Sequence, residues 1–146
     1  MNEQTRRFIE AHIGRIIDRG IFDERLIAEF RFDKRRTEYP DECPCYQQNK
    51  PCHNGTEVNC LLCYCHKYEN STPEGGCGLP EEGTGEWYYH PNLPAGRIWD
   101  CSKCNYPNKE EIVVKCLEGF FNSNEHSAES LRKYLKALYG LDGQPS

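Results

Sequence analysis

Between residues 40 and 107 the chain holds nine of its ten cysteines and eight of its nine prolines, but only six Val, Ile or Leu side chains. Those six are Val58, Leu61, Leu62, Leu79, Leu93 and Ile98. They cannot offset a conformational entropy cost of ~1–2 kcal/mol per residue over a stretch of this length. Aromatic side chains, among them Tyr64, Tyr68, Trp87, Tyr88, Tyr89 and Trp99, add apolar surface, yet such a segment still needs a staple. Metal held by thiolates is the staple this composition offers, because a structural zinc site contributes on the order of 10–16 kcal/mol of apparent binding energy to folding.

The compartment decides how thiols are read. The opening residues, MNEQTRRFIEAHIG, contain no apolar run long enough for a signal peptide, and no later segment reaches transmembrane length. The expected location is therefore cytoplasmic, where thiols stay reduced and closely spaced cysteines are metal ligands more often than disulfides. Two glycosylation-type triplets, starting at Asn54 and Asn70, are read as chance on this basis. The net charge is -5, divided as +2 over residues 1–36 and -7 over the rest. The chain is polar, with a mean hydropathy of -0.85, and its acidic middle argues against a nucleic-acid surface, which is normally basic.

Two C-x2-C pairs carry the strongest signal. Cys60-Leu61-Leu62-Cys63 is followed at once by Tyr64-Cys65, and Cys101-Ser102-Lys103-Cys104 follows Trp99-Asp100. A C-x2-C turn lets two thiolates face one ion while backbone amides support the sulfurs. Cys77 lies in Gly75-Gly76-Cys77-Gly78, where glycine lets the chain curl closely round a ligand. Cys45, Cys52, Cys60, Cys63, Cys65, Cys77, Cys101 and Cys104 make eight thiols, enough for two four-thiolate zinc sites, with Cys43 and His53 as substitutes. Spacing does not say which four share an ion. An iron–sulfur cluster is the alternative cofactor, although C-x2-C-x-C is not a ferredoxin run. A redox dithiol at Cys101–Cys104 fits less well, since the pair is embedded among other cysteines and Pro107 precedes the next helix. Cys116 falls on an apolar helical stripe and is read as a core thiol. His66 and His90 are weaker ligand candidates than His53, and His12 and His126 weaker again.

Helical patterns flank this zone. Phe8, Ile9, His12, Ile13, Ile16 and Ile17 repeat at helical spacing before Gly20, and Asp23 is placed to cap a second helix bearing Leu26, Ile27 and Phe30. The basic run Arg31, Lys34, Arg35, Arg36 reads as a solvated helix end, or else a patch for an acidic partner. Asn108-Lys109-Glu110-Glu111 has the form of a capping box ahead of Ile112, Val113, Cys116, Leu117 and Phe120. A last helix runs from about Ser127 to Tyr139, with Gly140 ending it and a frayed tail beyond.

The order Pro51-Cys52-His53, Asn59-Cys60-x-x-Cys63-Tyr64-Cys65-x-x-Tyr68, Gly76-Cys77-Gly78, Gly85-Glu86-Trp87 and Trp99-Asp100-Cys101-Ser102-x-Cys104 resembles the cysteine-rich small domain, a zinc-finger-like family of archaea and anaerobic bacteria. The resemblance spans about residues 43–120. It implies metal binding and a setting near cobalamin metabolism, where such domains sometimes accompany cobinamide-salvage enzymes. His66 stands where family members often have proline, and the Cys43-Pro44-Cys45 opening departs from the pattern.

The expected architecture is a small metal-stabilised, loop-rich cysteine domain with short strands and turns, flanked by N-terminal and C-terminal α-helices. Its expected parts are a helical extension over 1–38, the metal-binding domain over 39–121, and a C-terminal helix and tail over 122–146. The expected function is a non-catalytic module whose partner is another protein, not nucleic acid or a membrane. A metal-thiolate redox component and a metal delivery or sensing protein are the alternatives.

Overall fold

The computed structural model describes residues 1–48, 58–79, 85–101 and 104–141. The architecture is helix-rich, with one small antiparallel sheet and helices flanking loops that hold the cysteines. The first helix, α1, spans Glu3–Asp18. Asn2 caps it by accepting the Thr5 amide at 2.8 Å, and Gly20 closes it at φ +68°, where a side chain would be strained. Its buried stripe is Ile9, His12, Ile13, Ile16 and Ile17. Two short helices follow, α2 (Arg25–Glu29) and α3 (Phe32–Glu38). Asp23 serves the start of α2 by accepting the Arg25 amide at 3.0 Å.

The basic run is a solvated helix end only in part, since Arg31 and Lys34 are exposed and Arg35 is buried. Arg35 is only 2% exposed, lies over the rings of Phe30 and Tyr39, and pairs with Glu42. Arg31 pairs with Glu110 at 2.7 Å, and Lys34 with Glu29 and Glu38. Carboxylates at Glu29, Glu38, Glu42 and the distant Glu110, with two aromatic faces, pair these charges.

After the short helix α4 (Pro44–Gln47), the chain enters its irregular part. The strands β1 (Glu86–Tyr89) and β2 (Arg97–Asp100) form an antiparallel hairpin, pairing Trp87 with Trp99 and Tyr88 with Ile98. Aromatic and β-branched residues favour such a pleated surface. The Trp99 amide donates to the Glu74 carbonyl at 2.7 Å, and Arg97 pairs with the Glu74 carboxylate at 2.8 Å, which ties the hairpin to the preceding loop.

Two helices complete the fold, α5 (Glu110–Phe121) and α6 (Ala128–Leu138). Ser127 and Ser130 form a reciprocal capping box at α6, and Gly140 follows at φ +71°. At α5 the expected cap does not form. Asn108 is buried in a one-turn helix at Tyr106–Asn108, where its side-chain amide donates to the Asn59 carbonyl at 3.0 Å. Lys109 takes the cap position without a side-chain bond, and Glu110 is engaged by Arg31. The need to satisfy a buried carbonyl outweighs an exposed cap. The expected frayed tail, residues 142–146, lies outside the described residues.

The main core joins all three sequence zones. Ile13 and Ile16 of α1, Leu26 and Phe30, Val113, Leu117 and Phe120 of α5, and Leu131 and Leu135 of α6 pack with Leu61 and Leu62. Those two leucines are the interior residues of the first C-x2-C pair, so that turn is seated directly in the helical core. Among the described residues no helix is long and apolar enough to cross a membrane.

Candidate metal centre

Asn59 fixes the turn that carries Cys60 and Cys63. It is 1% exposed; its side-chain amide donates to the Ile27 carbonyl at 2.9 Å, and its side-chain oxygen accepts the Leu61 amide at 2.9 Å. Its backbone amide donates to the Asn108 carbonyl at 2.8 Å. The Cys60 amide then donates to the Phe30 carbonyl at 2.6 Å, and the Leu61 carbonyl faces the His12 ring. Helices α1 and α2, the turn before α5 and the cysteine turn are thereby tied together.

Around this turn the described thiols other than Cys116 can be sorted in two by the neighbours that act on Cys63 and on Cys65, while Cys63 also shares a cavity with the second set. Burial first, then the neighbouring Cys60, Cys43 and Cys45, push the Cys63 thiol up to about 12, with Arg15 acting in the opposite sense. Cys43 and Cys45 flank Pro44 at the start of α4 and pack against a small cluster of Phe32, Tyr46, Val58 and Cys60. The Tyr46 hydroxyl is hydrogen-bonded to Cys60, and burial followed by that thiol's charge holds its proton far above the ordinary phenol range. This first group is Cys43, Cys45, Cys60 and Cys63.

The second group is Cys65, Cys77, Cys101 and Cys104. Burial pushes Cys65 up to about 11; its neighbours Cys101, Cys104 and Cys77 act in the same direction, while the Lys67 backbone amide, donating to its sulfur, acts against them. Cys77 repeats this arrangement, its Sγ accepting the Leu79 amide at 3.3 Å. An N–H aimed at sulfur stabilises the thiolate over the thiol. Tyr68 and Cys77 form an antiparallel bridge, with the Gly78 amide on the Lys67 carbonyl at 2.9 Å and the Glu69 amide on the Gly76 carbonyl at 2.9 Å. That bridge sets the Cys65 and Cys77 turns side by side. The Cys104 amide donates to the Cys101 carbonyl at 2.9 Å. All four, together with Cys63, line one cavity of about 550 Å³.

No described cysteine is in a disulfide. Among the described residues no three Cys, His, Asp or Glu side chains close on one point as a finished metal cage. The thiols are neighbours within each group and not a completed coordination sphere. Neither family models, nor curated proteins, nor solved structures match the chain. The chemistry of the site therefore rests on its own residues.

Of the residues singled out from sequence, Cys45, Cys60, Cys63, Cys65, Cys77, Cys101 and Cys104 fall in these two groups. Cys52 and His53 lie outside the described residues. Cys43, held as a substitute, stands in the first group. Cys116 packs against the main core with its sulfur 3.5 Å from His66 Nε2. His66 also meets the rings of Tyr106 and Tyr139, and burial lowers its pKa to about 4. His90 is exposed, stacked on Tyr88. Two residues escaped the sequence reading. Tyr46 supplies a hydroxyl to Cys60, and burial first, then the neighbouring Cys63, Cys65 and Cys116, raise the pKa of Tyr139. Neither stands in a cysteine motif, so no local spacing marks it.

Proposed function

We propose that this chain is a metal-stabilised, non-catalytic accessory module holding two zinc ions, one at Cys43, Cys45, Cys60 and Cys63 and one at Cys65, Cys77, Cys101 and Cys104. The observation that carries the reading is the pair of bridged turns at Cys65 and Cys77, each with a backbone amide directed at its sulfur. Such amides offset part of the cost of gathering thiolates. Four thiolates leave zinc with no open position and about -2 formal charge, which makes it a poor activator of water. This favours a scaffold over a catalyst, with a protein as its partner. The resemblance of residues 43–120 to the cysteine-rich small domain points the same way and suggests work beside cobalamin-related enzymes.

A second reading has one observation in its favour. The second group surrounds a cavity of about 550 Å³, room enough for an iron–sulfur cluster in place of a single ion. Elemental analysis of anaerobically purified protein tests both. Two zinc equivalents and a colourless solution are expected, with one equivalent lost in Cys60→Ser and the other in Cys77→Ser. Iron with inorganic sulfide in a brown preparation would replace zinc by the cluster, and metal-free folded protein would end both readings.

A further inference from the structure

We propose that the Tyr139 hydroxyl is a positioning group of the first thiol set, donating its proton to the Cys63 sulfur when that sulfur is a metal-bound thiolate. The inference rests on the zinc reading and adds to it a residue from the C-terminal end of the fold. Tyr139 directly follows α6, where its backbone amide donates to the Leu135 carbonyl at 3.1 Å. It is 6% exposed and belongs to the main core with Leu61 and Leu62, the two residues between Cys60 and Cys63. Its Oη is buried and has no hydrogen-bond partner among the described residues. A buried hydroxyl in that position has given up its bonds to water, and native structures rarely leave one so.

The surroundings narrow the choice of acceptor. The groups whose charge reaches the hydroxyl are, in order, Cys63, Cys65 and Cys116, with the Tyr64 backbone amide acting in the opposite sense. That amide is a donor, so it leaves the hydroxyl proton unused. His66 meets the Tyr139 ring edge to face, with centroids 6.5 Å apart, yet its Nδ1 is also buried without a partner among the described residues. The imidazole is therefore not the acceptor. Its Nε2 lies 3.5 Å from Cys116 Sγ, which engages that sulfur, and Cys65 already receives the Lys67 backbone amide. Cys63, the first of the three to act on the hydroxyl, is the sulfur that remains.

The charge of the sulfur sets the condition. A neutral thiol is a weak acceptor and offers a phenol little. A thiolate is a strong one, because hydrogen bonds to an ionised partner are about twice as strong as neutral ones. A bond that favours the charged sulfur offsets part of the cost of gathering four thiolates at one ion. The end of α6, closed by Gly140 at φ +71°, holds the ring in place, so the donor is preorganised.

Cadmium-113 NMR of protein with cadmium exchanged for zinc tests the inference, with the zinc content of the starting wild-type protein measured in parallel. The resonance correlated with the Cys63 β-protons is expected to move in Tyr139→Phe, which keeps the ring and its packing, while the resonance correlated with the Cys101 β-protons stays. Chelator competition is expected to show the first zinc site weakened roughly tenfold and the second unchanged. An unmoved Cys63 resonance with unchanged affinity in folded Tyr139→Phe, or a shift confined to the Cys65 site, overturns the proposal and leaves the zinc reading intact. Should Tyr139→Phe not fold, wild-type protein decides: a Tyr139 hydroxyl proton coupled to the Cys63-linked cadmium upholds the bond, and absence of that coupling overturns it. Wild-type protein that holds neither zinc nor cadmium overturns the proposal and the zinc reading together.

Discussion

His12 Nε2 lies 2.8 Å from the Leu61 carbonyl oxygen, which fastens a buried imidazole of α1 to the turn between Cys60 and Cys63. The acceptor is a carbonyl, so Nε2 carries the proton. Burial, followed by the charges of Arg15 and Arg35 and opposed by the hydrogen bond to Leu61, lowers the His12 pKa to about 4 from 6.5, and the ring is neutral at pH 7.

This neutral, buried ring makes stability depend on acid. Between pH 6.5 and about 4 the unfolded chain binds a proton at His12 that the folded chain does not. The contribution is complete above pH 6.5 and is lost as pH falls through that window. His12→Gln, which keeps a donor for Leu61 but does not titrate, is expected to show a flatter acid limb by an amount on the order of 2–3 kcal/mol. Denaturant melts of both proteins across this range check it; parallel limbs would mean that His12 is solvated.

Asn59→Ala removes three side-chain hydrogen bonds at a residue 1% exposed, those to the Ile27 carbonyl, the Leu61 amide and Glu110. The expected loss is about 2–4 kcal/mol, because buried partners are left unsatisfied. Asn59→Asp should be nearly as damaging, since it keeps the acceptor for Leu61 but cannot donate to Ile27. Equilibrium urea unfolding measures both.

Cys43 stands in the first thiol group, and Cys52 lies outside the described residues. Cys43→Ser is expected to lower the metal content by one equivalent, and Cys52→Ser to leave it unchanged, as read by elemental analysis after exhaustive dialysis. The reverse pattern would move the ligand assignment to Cys52.

Complete chelation is expected to lower the melting temperature by at least about 10 °C, since loss of a tightly bound metal removes several kcal/mol of linkage. The near-ultraviolet signal of the Trp87–Trp99 pair, whose centroids are 5.1 Å apart, should fall early, because β2 runs directly into Cys101. A melting temperature unaffected by complete metal removal would refute a structural role for the ion.

Gly75→Ala should cost more than Gly96→Ala. Both residues have positive φ, +73° and +75°, so the backbone strain of about 1 kcal/mol is shared. Only at Gly75 would the new methyl also collide with the Tyr68 ring. Thermal melts of the two variants isolate the steric share.

Local signals were legible in the sequence wherever one element decides its own form. The stripe of α1 with its closing Gly20, the Ser127 start of α6 and the C-x2-C turns are of this kind. Asn108 and Arg35 were misjudged because their partners, Asn59 and Glu42, are set by tertiary packing, and an exposed-looking cap or charge carries no mark of being buried. The division of the thiols was illegible for the same reason. Cys63 and Cys65 stand two positions apart yet have different neighbours, and only the approach of α4 on one side and of the Cys77 turn on the other separates them.

Leu61 and Leu62 are fully buried in the helical core while Cys60 and Cys63 bracket them. A fragment cut at residues 39 and 121 would lift α1, α2 and α6 off those two leucines and leave them facing water in the middle of a ligand turn. The cysteine segment is therefore not a cassette that recombination could move alone into another protein. It must be inherited together with its helices, and descendants that lose a terminal helix should also show a changed residue at position 61 or 62.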